Sequence, residues 1–222
     1  MFDAVIFDCD GVLVDSEIIA HAVEMEVLHG IGFDYDKDEF QTRFMGSSDA
    51  AFFAALDADG QARLGRSIHD EIYEPIKTAL RAAVAERLTE VPGARAVVAE
   101  IAGPKAVASS SSLQGLGVKL RKTGLWDLFA PHIYSADHVA HGKPAPDLFL
   151  HAAGALGVSP SRCLVIEDTV NGVRAALAAN MQVWGFLGGG HMNDVSRARL
   201  VAAGAHRIVA DWREAGVLLA GL

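Results

Sequence analysis

The sequence lacks most of what would mark a nucleic-acid binder, a secreted scaffold or a membrane protein. Basic residues are outnumbered: 19 Lys and Arg stand against 28 Asp and Glu, a formal net charge of −9. A surface of that sign repels nucleic acid and anionic lipid, so an anionic ligand would need cationic help at one place. Cysteine is nearly absent. Cys9 and Cys163 lie in different segments without metal-ligand spacing, which suggests neither a disulfide framework nor a zinc site and leaves each as a small buried hydrophobe. No run reaches the ~18 consecutive apolar residues of a membrane span. Met1, Phe2 and Asp3 open straight into an apolar stretch with no basic region ahead of them, and the expectation is a cytoplasmic protein. No internal repeat is visible.

What the sequence does have is a large apolar content, 51% of 222 residues, enough for one domain or a domain carrying an inserted smaller one. Short apolar runs bounded by turn signals occur at residues 4–7, 105–109, 163–168, 182–186 and 206–210. They read as buried parallel strands. Between them lie helical stretches such as "DLFLHAAGALG", stopped by Gly157, and "NGVRAALAANM", with Val173, Ala176 and Leu177 on one face. Strand, helix, strand alternation predicts an α/β fold with a doubly wound, Rossmann-like parallel sheet. Residues 16–90 break the pattern with helical periodicity alone, so they form an all-helical inserted cap, and 1–15 with 91–222 form the core. Pro92 and Gly93 mark the return.

Ligands of open α/β sheets sit in the crevice at the carboxyl ends of strands. Those ends supply Asp8 and Asp10 after the first strand, Ser109 and Ser110 after the second, and Glu167 with Asp168 after "CLVI". Lys143, in "GKPAPD", follows another apolar stretch, "HIYSADHV". Four carboxylates in one crevice repel each other and rise in pKa unless a cation is present. A hard divalent ion answers that, and Mg²⁺ takes one or two carboxylates and leaves its other positions to water and phosphate. The metal set is Asp8, Glu167 and Asp168 with the backbone carbonyl near Asp10, and Lys143, Ser109 and Ser110 hold phosphate from the other side.

"DCDGVLVDSE", Ser109, Lys143 in "GKPAPD" and "VIEDTVNGVRAA" resemble, in order, the four motifs of the haloacid dehalogenase (HAD) superfamily of phosphatases and phosphomutases. The helical insertion resembles the cap of its β-phosphoglucomutase-like branch. The resemblance implies that Asp8 is a nucleophile forming an aspartyl phosphate and that Asp10 is the acid and then the base. It also implies a Mg²⁺ cofactor and a small phosphorylated metabolite as substrate: a sugar, sugar-acid or polyol phosphate. Dehalogenation by this family resembles a metal-free, single-Asp chemistry, which the Asp10 and Glu167–Asp168 positions argue against. Sugar phosphomutases of the branch carry a histidine five positions after the residue matching Asp15 and an arginine three after the glycine matching Gly46; here these are Ala20 and Asp49. A phosphatase is therefore expected, with the mutase as alternative. A non-catalytic HAD-fold binding protein is a further alternative, opposed by the presence of all four motifs. Arg43, Lys77 and Arg81 are the candidate cap cations.

Other features read as bland. "GGGH", residues 188–191, lacks the lysine and hydroxyl of a phosphate-binding P-loop and is expected to be a loop at the crevice rim. The nine histidines form no metal-site pair, and His132, His138 and His141 are expected at the surface or rim. Trp126, Trp184 and Trp212 are expected in apolar packing.

Overall fold

The structure, a computed structural model, describes residues 2–44 and 49–220, without the side chains of residues 37, 38, 41, 42, 49 and 50. Gly46 lies outside the described residues, and Asp49 is described only as the start of a helix. The chain divides into two compact units, Met1–Glu17 with Leu88–Leu222, and Ile18–Arg87.

The first unit is built on six short strands: β1 (Ala4–Phe7), β2 (Lys105–Ser109), β3 (Ile133–Ser135), β4 (Cys163–Glu167), β5 (Gln182–Phe186) and β6 (Arg207–Val209). They form one sheet in the order β3-β2-β1-β4-β5-β6, with every neighbouring pair parallel. From β1 the chain builds outward through β2 and β3, then returns to the other side for β4, β5 and β6. The reversal makes the β1/β4 boundary the topological switch point. β1 and β4 are buried along their whole length, as expected for parallel strands covered on both faces. The expected strands all form; β3, three residues of the stretch read only as apolar, is added at the edge.

The sequence alternation becomes helical cover for this sheet. Helices α1 (Glu17–Gly30), α2 (Lys37–Phe44), α3 (Asp49–Leu64) and α4 (His69–Arg87) come first in the chain. Then follow α5 (Ala94–Glu100), α6 (Leu113–Lys122), α7 (Trp126–Phe129), α8 (Asp147–Leu156), α9 (Val170–Ala178), α10 (Asp194–Ala203) and α11 (Trp212–Ala220). α8 packs on β2 and β1, and α9 on β5. Phe149, Ala152, Ala153, Val173 and Ala176 meet Ile6 and Val165 in one buried cluster. Trp212 is fully buried among Phe7 and Phe186, and its indole N–H donates to the Val12 carbonyl at 2.9 Å. That bond satisfies the one polar atom of a large core side chain and ties α11 to the loop after β1. Trp184 is buried too, whereas Trp126 is half-buried under the Arg121 guanidinium, 3.7 Å from its ring centroid. Cys9 and Cys163 are buried free thiols.

The two crossings between units are stitched within the first unit. Asp15 donates its N–H to the Thr89 carbonyl at 3.1 Å, and Val91 donates to Leu13 at 2.9 Å. Ser16, Glu17 and Leu88 to Glu90, expected in the cap of residues 16–90, fall in the first unit.

The second unit closes on its own aromatic core. Phe33, Phe40, Phe44, Phe52, Leu56 and Ile72 are buried together, with ring contacts of 4.9 Å for Phe40–Phe44 and 5.2 Å for Phe44–Phe52. Asp59 is its buried acid among the described residues, and the Tyr35 hydroxyl and Arg43 guanidinium each hold one of its carboxylate oxygens.

Candidate active site

Asp8 is the first residue beyond β1, and Glu167 and Asp168 are the last of β4 and the first beyond it. Because the two strands are neighbours in parallel register, with Phe7 opposite Ile166, their ends deliver the three carboxylates to one spot. One oxygen from each lies within 4.8 Å of the others, and all three residues are buried. Lys143 reaches the same spot from the loop before α8. Its Nζ donates to Asp8 Oδ1 at 2.5 Å and to Glu167 Oε1 at 2.8 Å, and its side chain is only 3% exposed. The Phe149 ring lies 4.8 Å from the ammonium, a further favourable contact for a buried cation.

The second oxygen of Glu167 is held by Thr169, whose backbone N–H and hydroxyl donate at 2.6 and 2.9 Å. Gly11 makes the approach to Asp168 feasible: its φ is +75°, and a Cβ there would lie 1.9 Å from Asp168 Oδ2. A glycine directly after Asp10 is therefore required by the backbone and by the acid it faces.

Burial pushes the Asp8 carboxyl well above its ordinary value, Lys143 opposes that, and Glu167, Asp168 and Asp10 reinforce it. Asp168 is raised for the same reasons, burial first and Glu167 next. Lys143 is raised despite burial, because Asp8 and Glu167 surround it. One ammonium does not neutralise three buried carboxylates. Asp168 Oδ1 is moreover buried and, among the described residues, without a hydrogen-bond partner. A buried carboxylate oxygen with nothing to accept from, beside two further carboxylates, is the donor set a hard divalent cation such as Mg²⁺ satisfies. The residues present fit that ion.

Asp10 belongs to a different arrangement. Its side chain accepts from Ser16, from Ser111 Oγ at 2.8 Å and from Lys119 Nζ at 2.5 Å, and Lys119 also donates to Ser111 Oγ at 3.0 Å. Burial works to raise the Asp10 carboxyl, but the Lys119 charge and the donors around it prevail and hold it below its ordinary value. The Asp10 carboxylate thus stands outside the cluster of Asp8, Glu167 and Asp168.

Ser109 is buried at the end of β2, and its hydroxyl accepts the Ser111 N–H at 3.1 Å. Ser110 is exposed, and it is Ser111 that faces Asp10. The serine run ends as a helix start: Ser112 caps α6 by accepting from the Gly115 N–H at 3.2 Å. In the helical unit, Arg43 is engaged by Asp59, the Lys77 ammonium lies 5.5 Å from the Tyr73 ring centroid, and Arg81 is exposed.

Two residues at the site were not singled out from sequence. Lys119 lies between Leu116 and Leu120, both buried on the inner face of α6, and a lysine on such a face is the signal that marks it. His191, expected at the rim, is buried with its Nε2 3.2 Å from Asp168 Oδ2; burial lowers its pKa and keeps the ring neutral.

A doubly wound sheet whose switch point gathers carboxylates, one buried lysine and hydroxyls is the arrangement of an α/β enzyme that works on an anionic group. The model of the haloacid dehalogenase-like hydrolases matches residues 2–180, and the chain belongs to that family. It is similar to the 6-phosphogluconate phosphatase of Escherichia coli, 28% identical over 85% of this chain and 84% of the relative. Hexitol phosphatase B of the same organism is 32% identical over 81% of each chain. Among solved structures, a HAD family hydrolase from Deinococcus radiodurans with bound phosphate and sodium superposes with a TM-score of 0.86 at 37% identity, covering 99% of this chain and 96% of that one.

Proposed function

We propose that the protein is a Mg²⁺-dependent phosphatase of a small phosphorylated sugar, sugar acid or polyol, acting through a phosphorylated Asp8. The observation that carries this reading is the pairing of two differently held acids. Asp8 sits in the sealed cluster with Lys143, and Asp10 sits two residues on among hydroxyls and Lys119. The first suits a nucleophile and the second a proton carrier.

Asp8 needs no deprotonation once its charge is balanced. Its oxygen attacks phosphorus, an O–P bond forms, and the bond from phosphorus to the substrate oxygen breaks. Asp10 gives its proton to that departing oxygen and later takes one from the water that cleaves the aspartyl phosphate. As held, Asp10 is ionised, the form that accepts a proton from water. The approaching phosphate dianion raises its affinity for a proton and prepares the acid step. Lys143 steadies the phosphoryl oxygens and fixes Asp8, and Ser109 lines the same strand end. Mg²⁺, when bound by Asp8, Asp168 and Glu167, would neutralise phosphate charge and the repulsion among the acids. The substrate class is supported by what the names of the two curated relatives say those proteins hydrolyse.

The test is phosphate release from phosphogluconate, hexitol phosphates, glucose phosphates and phosphoglycolate, with Mg²⁺, with EDTA, and with Asp8→Asn. Release that needs Mg²⁺ and falls by ~10³-fold or more in the variant is expected. Undiminished release by the variant overturns the nucleophile, and interconversion of glucose phosphates faster than hydrolysis overturns the phosphatase.

A further inference from the structure

The Gly188–His191 loop belongs to none of the four motifs, yet it ends beside the acidic cluster. His191 lies against the loop that carries Asp8 and Asp10. A Cβ on Gly11 would come within 2.7 Å of His191 Cε1, and a Cβ on Gly189 within 2.9 Å of His191 Cε1 and Nδ1. The two glycines thus admit the ring and, at Gly11, the Asp168 carboxylate as well. The loop is pinned: the Gly190 N–H donates to Asp15 Oδ1 at 3.0 Å, and the Met192 N–H to the Gly189 carbonyl at 3.0 Å. Held in this way, the imidazole puts Nε2 3.2 Å from Asp168 Oδ2, while Asp168 Oδ1 remains buried and, among the described residues, unpartnered. Among the described residues the His191 Nδ1 has no hydrogen-bond partner, and Nε2 is the ring nitrogen that faces the carboxylate.

We propose that His191 is a positioning residue for metal binding, holding Asp168 by Oδ2 so that Oδ1 is kept as the donor for a divalent cation. The inference rests on the metal-dependent reading above. A partner that fixes one oxygen of a ligating carboxylate sets its orientation before the ion arrives, and losing such a partner costs about 10- to 100-fold in metal affinity. It also gives the glycine-rich loop a purpose that no phosphate-loop chemistry supplies. At 11 and 189 a side chain would meet the imidazole and also, at Gly11, the Asp168 carboxylate and, at Gly189, the Gly11 carbonyl.

The experiment is Mg²⁺ binding to the full chain, stripped with EDTA and dialysed, measured by calorimetry for the wild type, His191→Leu, His191→Gln and His191→Asn. The Mg²⁺ dependence of p-nitrophenyl phosphate hydrolysis is measured alongside. His191→Leu is expected to weaken Mg²⁺ binding by about 10- to 100-fold and to raise the half-saturating Mg²⁺ by the same factor, with a smaller fall in turnover at saturating Mg²⁺. His191→Gln, which can set an N–H where Nε2 stands, restores most of the affinity, and the shorter His191→Asn does not. A purely structural role would lower stability and turnover without that ordering. Wild-type Mg²⁺ affinity in His191→Leu overturns the inference; if that variant does not fold, equal affinities of the Gln and Asn variants overturn it. A wild-type protein that binds no Mg²⁺ and hydrolyses unchanged in EDTA overturns the metal reading itself, a different result from a metal-binding wild type matched by its variants.

Discussion

The two units bury charge in opposite ways. In the helical unit Asp59 is buried, but the Tyr35 hydroxyl and Arg43 guanidinium take one oxygen each, and an aromatic core surrounds them. In the sheet unit Asp8 and Glu167 share one buried ammonium, Asp168 lies beside them, and among the described residues one oxygen of Asp168 has no hydrogen-bond partner. The first acid is satisfied by its two partners. The second group is under-compensated, and a protein keeps such a group where a ligand completes it. Burial alone does not mark a site; unbalanced burial does.

The strongest way to break the contrast is to remove the shared cation. Lys143→Met leaves three buried carboxylates without their ammonium, and a loss of about 3–5 kcal/mol in metal-free unfolding measurements is expected, with phosphate release down by ~10²-fold or more. A variant as stable and active as the wild type would show that the cluster is not held by that lysine. In the helical unit, Asp59→Ala removes a satisfied acid and should cost roughly 2–3 kcal/mol in urea denaturation, while any loss of activity follows that of folded protein. No loss of stability would mean that the Tyr35 and Arg43 contacts only balance desolvation.

The smallest effect sharpens the comparison by its sign. Asp168→Asn removes excess negative charge, so in EDTA its midpoint of unfolding should rise, by the equivalent of about 1 kcal/mol, while Mg²⁺-dependent activity is lost. Asp8 and Asp168 are both held above their ordinary 3.8 in the folded protein. Groups raised on folding support the fold fully below 3.8 and lose that contribution as pH rises through their raised values. Metal-free wild type should therefore gain stability as pH falls from neutrality toward about 4, and Asp168→Asn should flatten that slope. A variant less stable than the wild type in EDTA at neutral pH would show that the cluster is balanced without metal.

Much of this was legible along the chain. Asp8, Asp10, Glu167 and Asp168 follow apolar runs too short and too buried to be anything but parallel strands, so their charge had to fall at strand ends. Lys143 was marked by its Gly-Lys-Pro turn. Lys119 was less so: one of three basic residues in the last turn of an amphipathic helix reads as solvated until the helix face is known, and its partner Asp10 is over a hundred positions away in sequence. The serine run shows the limit at short range. Four identical residues cannot be ranked without the turn of the chain, which buries Ser109, exposes Ser110, aims Ser111 at Asp10 and makes Ser112 a helix cap.

The sequence by itself determined the sheet, its helical insertion and the acids at the strand ends, because apolar periodicity and turn chemistry are local properties. Tertiary structure alone decided how those acids are held. Pairing of Lys119 with Asp10, bridging of Asp8 and Glu167 by Lys143, and placement of His191 against Asp168 each depend on distances between segments remote in the chain. Those distances are set by parallel register and close packing, which no single stretch of sequence contains.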